Sequence, residues 1–205
     1  KQYEKIEGKL NELDKNYKAI PTKAYGNCLF DALIASYRYS HDGISSDDLV
    51  EFEDELNEKI DNFTKDKKEI DSQDEESFAL RQILIEHIEK ENNFNKFGGE
   101  GLDRTKWIND MKKNNVWGDN IIICAFSDKY NVNIEVVDGT GEGNTSQCPS
   151  IESDKKIYLG LVSLSGGNIG NHFVGIGQVF NQSGGFPFFS KKSKPSPTAS
   201  ESSHK

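Results

Sequence analysis

The residues of this chain best suited to chemistry are a cysteine, Cys28, and a histidine, His172. Cys28 follows Gly26 and Asn27 and opens an apolar run typical of a buried helix. The first N–H groups of a helix have no partner inside it and carry the positive end of its dipole. They are predicted to stabilise a thiolate and to lower the pKa of the thiol. The sequence therefore predicts a nucleophilic cysteine presented by a turn.

A cysteine nucleophile needs a base, and the chain has 4 histidines from which to choose. His87 lies on a predicted helical face, and His204 lies in the polar C-terminal segment. His41 follows the Cys28 helix by too few residues to fold back easily onto its start. His172 opens a predicted strand after a glycine-rich turn, so we expect it to take and return the proton.

The turn before Cys28 supplies the third part of a thiol hydrolase. The backbone N–H groups of Tyr25, Gly26 and Asn27 can point at a negative charge that develops on a substrate carbonyl oxygen. Together with Cys28 and His172, this oxyanion turn predicts a cysteine-dependent hydrolase that uses no cofactor and no metal.

Composition narrows the class of partner. With 34 acidic and 25 basic residues, the formal net charge is −9, which disfavours nucleic acid as a partner. The longest apolar runs, such as 121–126, are far shorter than the roughly 20 residues of a membrane-spanning helix. A length of 205 residues favours one domain with appendages, which we expect to be monomeric.

The 3 cysteines cannot all pair in disulfides, because their number is odd, and none forms a Cys-x-x-Cys pair. This favours a reducing, cytoplasmic location. Cys124 lies inside an apolar helical segment and is expected to be buried and inert. Abundant Lys, Asn and Ile are typical of AT-rich genomes. This composition is consistent with an intracellular bacterium or parasite whose effector acts in the host cytosol.

Hydrophobic periodicity places helices in the first two thirds of the chain and strands in the last third. Helices are predicted over 1–20, 28–37, 45–63, 72–92, 107–113 and 121–129, and strands over 133–137, 156–164 and 172–180. The apolar face of the helix predicted over 1–20 consists of Ile6, Leu10, Leu13 and Tyr17. A capping box from Ser72 to Glu75 is predicted to start the helix over 72–92. The order favours an α+β fold with a mostly antiparallel sheet flanked by helices. The folded domain is expected over 1–189, with a disordered polar tail over 190–205.

These motifs carry a resemblance to a known family. The segment Tyr25-Gly26-Asn27-Cys28-Leu29-Phe30-Asp31-Ala32-Leu33 resembles the Asp-Gly-Asn-Cys-Leu-Phe-x-Ala-Leu motif of the ovarian-tumour (OTU) family of papain-like cysteine proteases. The segments Trp117-Gly118-Asp119, Val132 to Val137 and Asn171-His172-Phe173 are similar to later blocks of that family. The likeness extends over about residues 17–180.

The resemblance implies a papain-like OTU fold and a deubiquitinase. Cys28 would be the nucleophile, His172 the general base and acid, and the turn before Cys28 the oxyanion hole. The expected substrate is the isopeptide bond after the C-terminal Gly-Gly of ubiquitin, of polyubiquitin chains or of a ubiquitin-like modifier. The glycines would pass through a narrow channel that excludes side chains.

The resemblance leaves the residue that orients the imidazole open. Tyr25 and Val174 stand where the family usually has an acid or an amide. Asn171, or an upstream residue such as Asp14 or Asn16, could take this role. The alternative function is a catalytically weak OTU-like module that binds ubiquitin without cleaving it.

Overall fold

The computed structural model describes residues 1–12, 16–66, 70–141, 144–145, 148, 152–165 and 170–179. The described helices are α1 (Gln2–Asn11), α2 (Cys28–Tyr39), α3 (Ser46–Lys65), α4 (Glu75–Lys90), α5 (Arg104–Met111) and α6 (Asn120–Tyr130), with a 3₁₀ turn at Phe94–Phe97. The strands are β1 (Tyr17–Ile20), β2 (Asn133–Asp138), β3 (Asn144–Thr145), β4 (Lys156–Val162) and β5 (His172–Gln178). The predicted tail, 190–205, lies outside the described residues.

The strands form one sheet in the order β1-β5-β4-β2-β3. The pairs β1–β5, β4–β5 and β2–β3 are antiparallel, and only the β2–β4 pair among the described strands is parallel. This mixed architecture confirms the predicted α+β class with a mostly antiparallel sheet. No helix in the described ranges has the length and apolar character to span a membrane.

The sheet carries a hydrophobic core on each face because side chains alternate along its strands. On β4, Ile157 and Leu159 join the larger core, to which α2, α3, α4 and α6 contribute. Tyr158 and Val162 point the other way and join a smaller core that is covered by α1. The sheet is therefore buried between α1 and the main group of helices.

Helix α2 lies directly on strand β5. A Cβ atom at Gly175 would lie 2.7 Å from the Cβ of Ala35, so the two elements meet at a distance that only glycine permits. The buried Ser36 hydroxyl donates to the Tyr158 carbonyl at 2.7 Å and accepts from the Ile176 N–H at 2.9 Å. These bonds attach the middle of α2 to β4 and β5.

Side-chain caps mark the starts of two helices. Ser45 and Asp48 cap α3 reciprocally, at 3.2 and 2.9 Å, and Asp119 accepts from the Ile121 N–H at the start of α6. The predicted capping box of α4 is wrong, because the helix begins at Glu75 after Asp74 and has no side-chain cap.

The predicted first helix is too long. Helix α1 ends at Asn11, and Tyr17 opens strand β1, where it pairs with Gln178 of β5. Tyr17 fits the helical spacing of Ile6 and Leu10 and is buried with them, but it reaches the same core from a strand. Residue 13, the remaining member of the predicted apolar face, lies outside the described residues.

Two further expectations about single residues are wrong. Cys124 is not an unpaired thiol but forms a disulfide with Cys148, with their Cα atoms 5.1 Å apart, and Cys28 stays free. Large aromatic residues usually anchor cores, which predicts a core or helix-packing role for Trp107 and Trp117. Trp107 packs against Phe94 as predicted, but Trp117 has 52% of its surface exposed.

We predict that Gly175→Ala lowers the free energy of unfolding by about 1–3 kcal/mol, because the added methyl group must push β5 away from α2. Gly8→Ala is the matched control. A Cβ at Gly8 meets no atom within 4 Å, so the same change there should stabilise helix α1 by up to about 1 kcal/mol. Urea unfolding of both variants measures the difference, and equal stabilities would contradict the close α2–β5 contact.

Candidate active site

Cys28 begins α2 at the end of a tight turn. Its N–H group donates to the Tyr25 carbonyl at 3.0 Å, and Asn27 stands at the N-cap with φ −94° and ψ 0°. A Cβ atom at Gly26 would lie 1.7 Å from the Asn115 carbonyl oxygen, so no residue other than glycine fits this approach of two backbones. The turn thus places the sulfur at the N-terminus of a buried helix.

The pKa of Cys28 differs from the sequence-based expectation. Burial raises the pKa of the thiol, and a hydrogen bond from the Phe173 backbone lowers it by less. The negative charge of Asp31 raises it further, while the N–H groups at the start of the helix lower it. The expectation of a lowered pKa is wrong, because only 1% of the residue is exposed and a buried thiolate loses its hydration.

His172 opens β5 opposite Val162 of β4 and is almost fully buried. Burial lowers the pKa of the imidazole, and the nearby Thr22 backbone and the charge of Asp31 only partly offset this. The backbone of the next residue, Phe173, lowers the pKa of the Cys28 thiol, so the sulfur lies near it. The structure therefore brings the start of β5, where His172 lies, to the sulfur of Cys28.

Thr22 contacts the imidazole and was missed by sequence reasoning. Its Oγ1 lies 3.2 Å from Nε2 of His172, and its hydroxyl donates to the carbonyl oxygen of Phe173. A carbonyl can only accept, so the single hydroxyl proton is used there, and Oγ1 must accept from Nε2–H. In the neutral ring this leaves Nδ1 unprotonated, and Nδ1 is buried with no hydrogen-bond partner in the described ranges.

The residues considered for orienting the imidazole lie elsewhere. Asn171 accepts from the Leu164 N–H at 3.1 Å through its side-chain oxygen, and no hydrogen bond joins it to His172 within the described part of the chain. Asn16 offers its carbonyl to Val179, and residue 14 lies outside the described residues. Val174 is fully buried in the smaller core.

Tyr25, which stands where the resembled motif has an acid, contacts an acid one helical turn beyond the cysteine. Its hydroxyl donates to Asp31 at 3.0 Å, and the Ser77 hydroxyl donates to the other oxygen of the same carboxylate. Burial raises the pKa of Asp31, and these two hydrogen bonds lower it by less. The turn is thus attached to α2 and α4 through one partly buried carboxylate.

One group in the described residues has the spacing of metal ligands, and it lies outside this site. The ligand atoms of His87, Glu91 and Asp128 lie within 4.8 Å of one another. The Lys96 ammonium lies 2.9 Å from Asp128 and 3.5 Å from Glu91. Because a lysine already pairs with both carboxylates, we interpret the group as an ion-pair cluster.

Comparison with known proteins identifies the family. A family model described as OTU-like cysteine protease matches residues 23–173 of the chain. This match covers well over half of the sequence, so the chain belongs to the OTU-like cysteine proteases, as the motifs predicted. A comparison with curated protein sequences found no match.

Several solved structures are similar to this chain. The OTUD1 OTU domain superposes with a TM-score of 0.52 at 16% identity, covering 85% of this chain and 96% of that one. A Hazara virus OTU bound to ubiquitin gives 0.46 at 16% identity, over 82% and 84% of the two chains. An OTU deubiquitinase from Wolbachia pipientis wMel bound to ubiquitin gives 0.47 at 12% identity, over 80% and 96%. The OTUD1 match confirms the predicted OTU fold.

The raised pKa of Cys28 predicts how its reactivity depends on pH. The rate of alkylation by iodoacetamide should still be rising above about pH 8.5, the usual pKa of a cysteine thiol, because the thiolate fraction grows only as the pH approaches the raised value. Quenching the alkylation at timed intervals and measuring the adduct by mass spectrometry gives this rate. The Cys28→Ala variant gives the background alkylation of other residues. A rate that levels off below pH 7 would indicate a preformed thiolate and contradict the prediction.

Proposed function

We propose that this chain is a cysteine-dependent deubiquitinase that hydrolyses the isopeptide bond after the C-terminal Gly-Gly of ubiquitin or of a ubiquitin-like modifier. The observation that carries the proposal is the packing of α2 on β5 at Gly175 and Ile176, which brings Cys28 at the start of the helix and His172 at the start of the strand to the same end of this contact. Membership of the OTU-like cysteine proteases supports the thiol chemistry. The substrate class follows from the family resemblance of the motifs around Cys28 and His172.

The reaction begins from an uncharged pair. Burial disfavours both the thiolate of Cys28 and the imidazolium of His172, so at neutral pH both groups hold their neutral forms. As Sγ attacks the carbonyl carbon of the terminal glycine, Nδ1 of His172 takes the thiol proton. Asp31, whose charge raises the pKa of His172, stabilises the imidazolium formed in this step.

The oxyanion would be held by part of the predicted turn. The Tyr25 N–H donates to the Lys23 carbonyl at 3.0 Å and is therefore engaged. The N–H groups of Gly26 and Asn27 have no hydrogen-bond acceptor among the described residues, so they are the donors we assign to the oxyanion.

The intermediate then collapses and the isopeptide C–N bond breaks. The imidazolium of His172 returns its proton to the departing lysine amine, which leaves as a neutral amine, and the glycine carbonyl stays bound to Cys28 as a thioester. Water attacks the thioester after giving a proton to Nδ1. As the ubiquitin carboxyl group is released, the C–S bond breaks and the imidazolium of His172 returns its proton to the sulfur, which restores the thiol.

The second candidate is a catalytically weak module that binds ubiquitin without cleaving it. Two observations favour it: Cys28 and His172 are only 1% and 2% exposed, and Val174 belongs to the core instead of orienting the imidazole. An enzyme would have to expose Cys28 and His172 when the glycine tail of the substrate enters. A binding module could keep both residues buried.

The two candidates predict different results with a ubiquitin probe that carries an electrophile at its C-terminus. We expect wild type to form a covalent adduct and Cys28→Ala to form none. His172→Ala should slow adduct formation at pH 7 by at least about 100-fold, because no base takes the thiol proton. Cleavage of ubiquitin chains of each linkage type, followed on gels, measures turnover.

Saturable ubiquitin binding by wild type without adduct or cleavage would favour the binding module. Adduct formation that survives Cys28→Ala would place the nucleophile elsewhere.

The contact between Thr22 and His172 predicts a graded effect on turnover. Thr22→Val keeps the shape of the side chain but removes the acceptor for Nε2–H, so kcat should fall about tenfold, in line with the ~1.4 kcal/mol that one hydrogen bond supplies. Thr22→Ser keeps the hydroxyl and should retain most of the activity. If the two variants are equally active in the chain-cleavage assay, Thr22 does not orient the imidazole.

A further inference from the structure

Arg81 is a fully buried arginine in helix α4 that has no carboxylate partner among the described residues. Burial lowers its pKa to about 10, so the guanidinium stays charged at neutral pH. A buried charge of this kind is expensive unless polar groups surround it. The groups that surround Arg81 therefore show what the side chain is placed to hold.

Four oxygen atoms accept hydrogen bonds from the guanidinium. The two protons of its Nη2 are shared among three acceptors: the Val116 carbonyl at 2.5 Å, the side-chain oxygen of Asn27 at 2.7 Å and the Gly26 carbonyl at 3.3 Å. Its Nη1 donates to the Met111 carbonyl at 3.0 Å. The guanidinium also lies 4.1 Å above the centre of the Phe30 ring. One side chain of α4 thus joins the cysteine turn to the end of α5 and to the segment that follows it.

The bond to Gly26 fixes the orientation of a peptide group that the proposed reaction uses. The Gly26 carbonyl and the Asn27 N–H belong to the same planar trans peptide and point in opposite directions. When the carbonyl is directed at Arg81, the N–H must point away from it. Arg81 therefore determines the direction of one of the two proposed oxyanion donors.

The Asn27 side chain also helps to hold the turn in place. Its oxygen accepts from Arg81 and also from the Asn115 N–H at 3.3 Å, and its nitrogen donates to the Asn114 side chain at 2.7 Å. Asn115 lies at φ 61°, and its carbonyl rests against Gly26. The turn is consequently held both by Arg81 and by the segment that contains Asn114 and Asn115.

We propose that Arg81 is a positioning residue that aligns the Gly26–Asn27 peptide so that its N–H group faces the oxyanion. This inference rests on the proposed hydrolase function. A lysine is a poor substitute because its ammonium is a point charge with no planar fork and reaches fewer of the four acceptors.

Two reactions of the Cys28 sulfur distinguish an effect of a substitution on the oxyanion donors from an effect on the nucleophile itself. Hydrolysis of a ubiquitin C-terminal amide needs oxyanion donors, whereas alkylation by iodoacetamide is a displacement at carbon and needs only the thiolate. We expect Arg81→Lys to lower kcat about 10- to 100-fold, while the alkylation rate and its pH profile stay as in wild type. Arg38→Lys is the matched control, since Arg38 pairs with Glu53 and Glu76 near the other end of α2.

Hydrogen exchange of the turn supplies a readout that does not need turnover. Arg81→Lys should speed exchange of the Gly26 and Asn27 amides, and Arg38→Lys should not. If wild type cleaves no ubiquitin substrate, the proposed function fails, and the exchange result alone decides the role of Arg81.

Three outcomes would overturn the inference: unchanged kcat, a parallel loss of hydrolysis and alkylation, or unchanged exchange in the turn. Arg81→Gln, which avoids a buried ammonium, repeats the test if Arg81→Lys does not fold. If both variants unfold, Arg81 serves folding and not alignment.

Discussion

The packing of helix α2 against strand β5 is the contact on which the candidate site depends. Cys28 starts the helix and His172 starts the strand, so the contact at Gly175 sets how the two approach each other. Strand β1 supports β5 from its other edge, and the chain that leaves β1 carries Thr22 to the imidazole. Sulfur, imidazole and hydroxyl are thus presented from the ends of regular elements, whose positions are determined by two cores.

Burial determines the protonation states of this site more than the helix terminus does. A helix N-terminus favours a thiolate, but its effect is small beside the loss of water around a sulfur that is 1% exposed. The same loss keeps His172 uncharged and ready to accept a proton. In the proposed reaction, charge would separate only when a substrate arrives, and the N–H groups of the turn and the nearby Asp31 would stabilise the charges that form.

The sequence predicted what local patterns encode and missed what depends on distant pairing. Helix α2 and the positions of Cys28 and His172 follow from an apolar run, a glycine turn and a branched strand. Strand β1 was read as helix because Tyr17 fits a helical spacing, and its strand conformation comes from pairing with β5 far along the chain. Thr22 was missed with it. Arg81 had a readable signal, a charge on the apolar face formed by Leu84 and Ile88, but its four acceptors are visible only in three dimensions.

The disulfide between Cys124 and Cys148 gives the chain a mixed response to reductants. Cys28 is the one free sulfur of the three, so a thiol reagent applied without reductant counts a single site per molecule. Dithiothreitol, commonly added to keep a thiol protease active, would also open the bond that ties α6 to the segment before β4. A reductant that keeps Cys28 as a free thiol thus also removes a covalent crosslink from the scaffold.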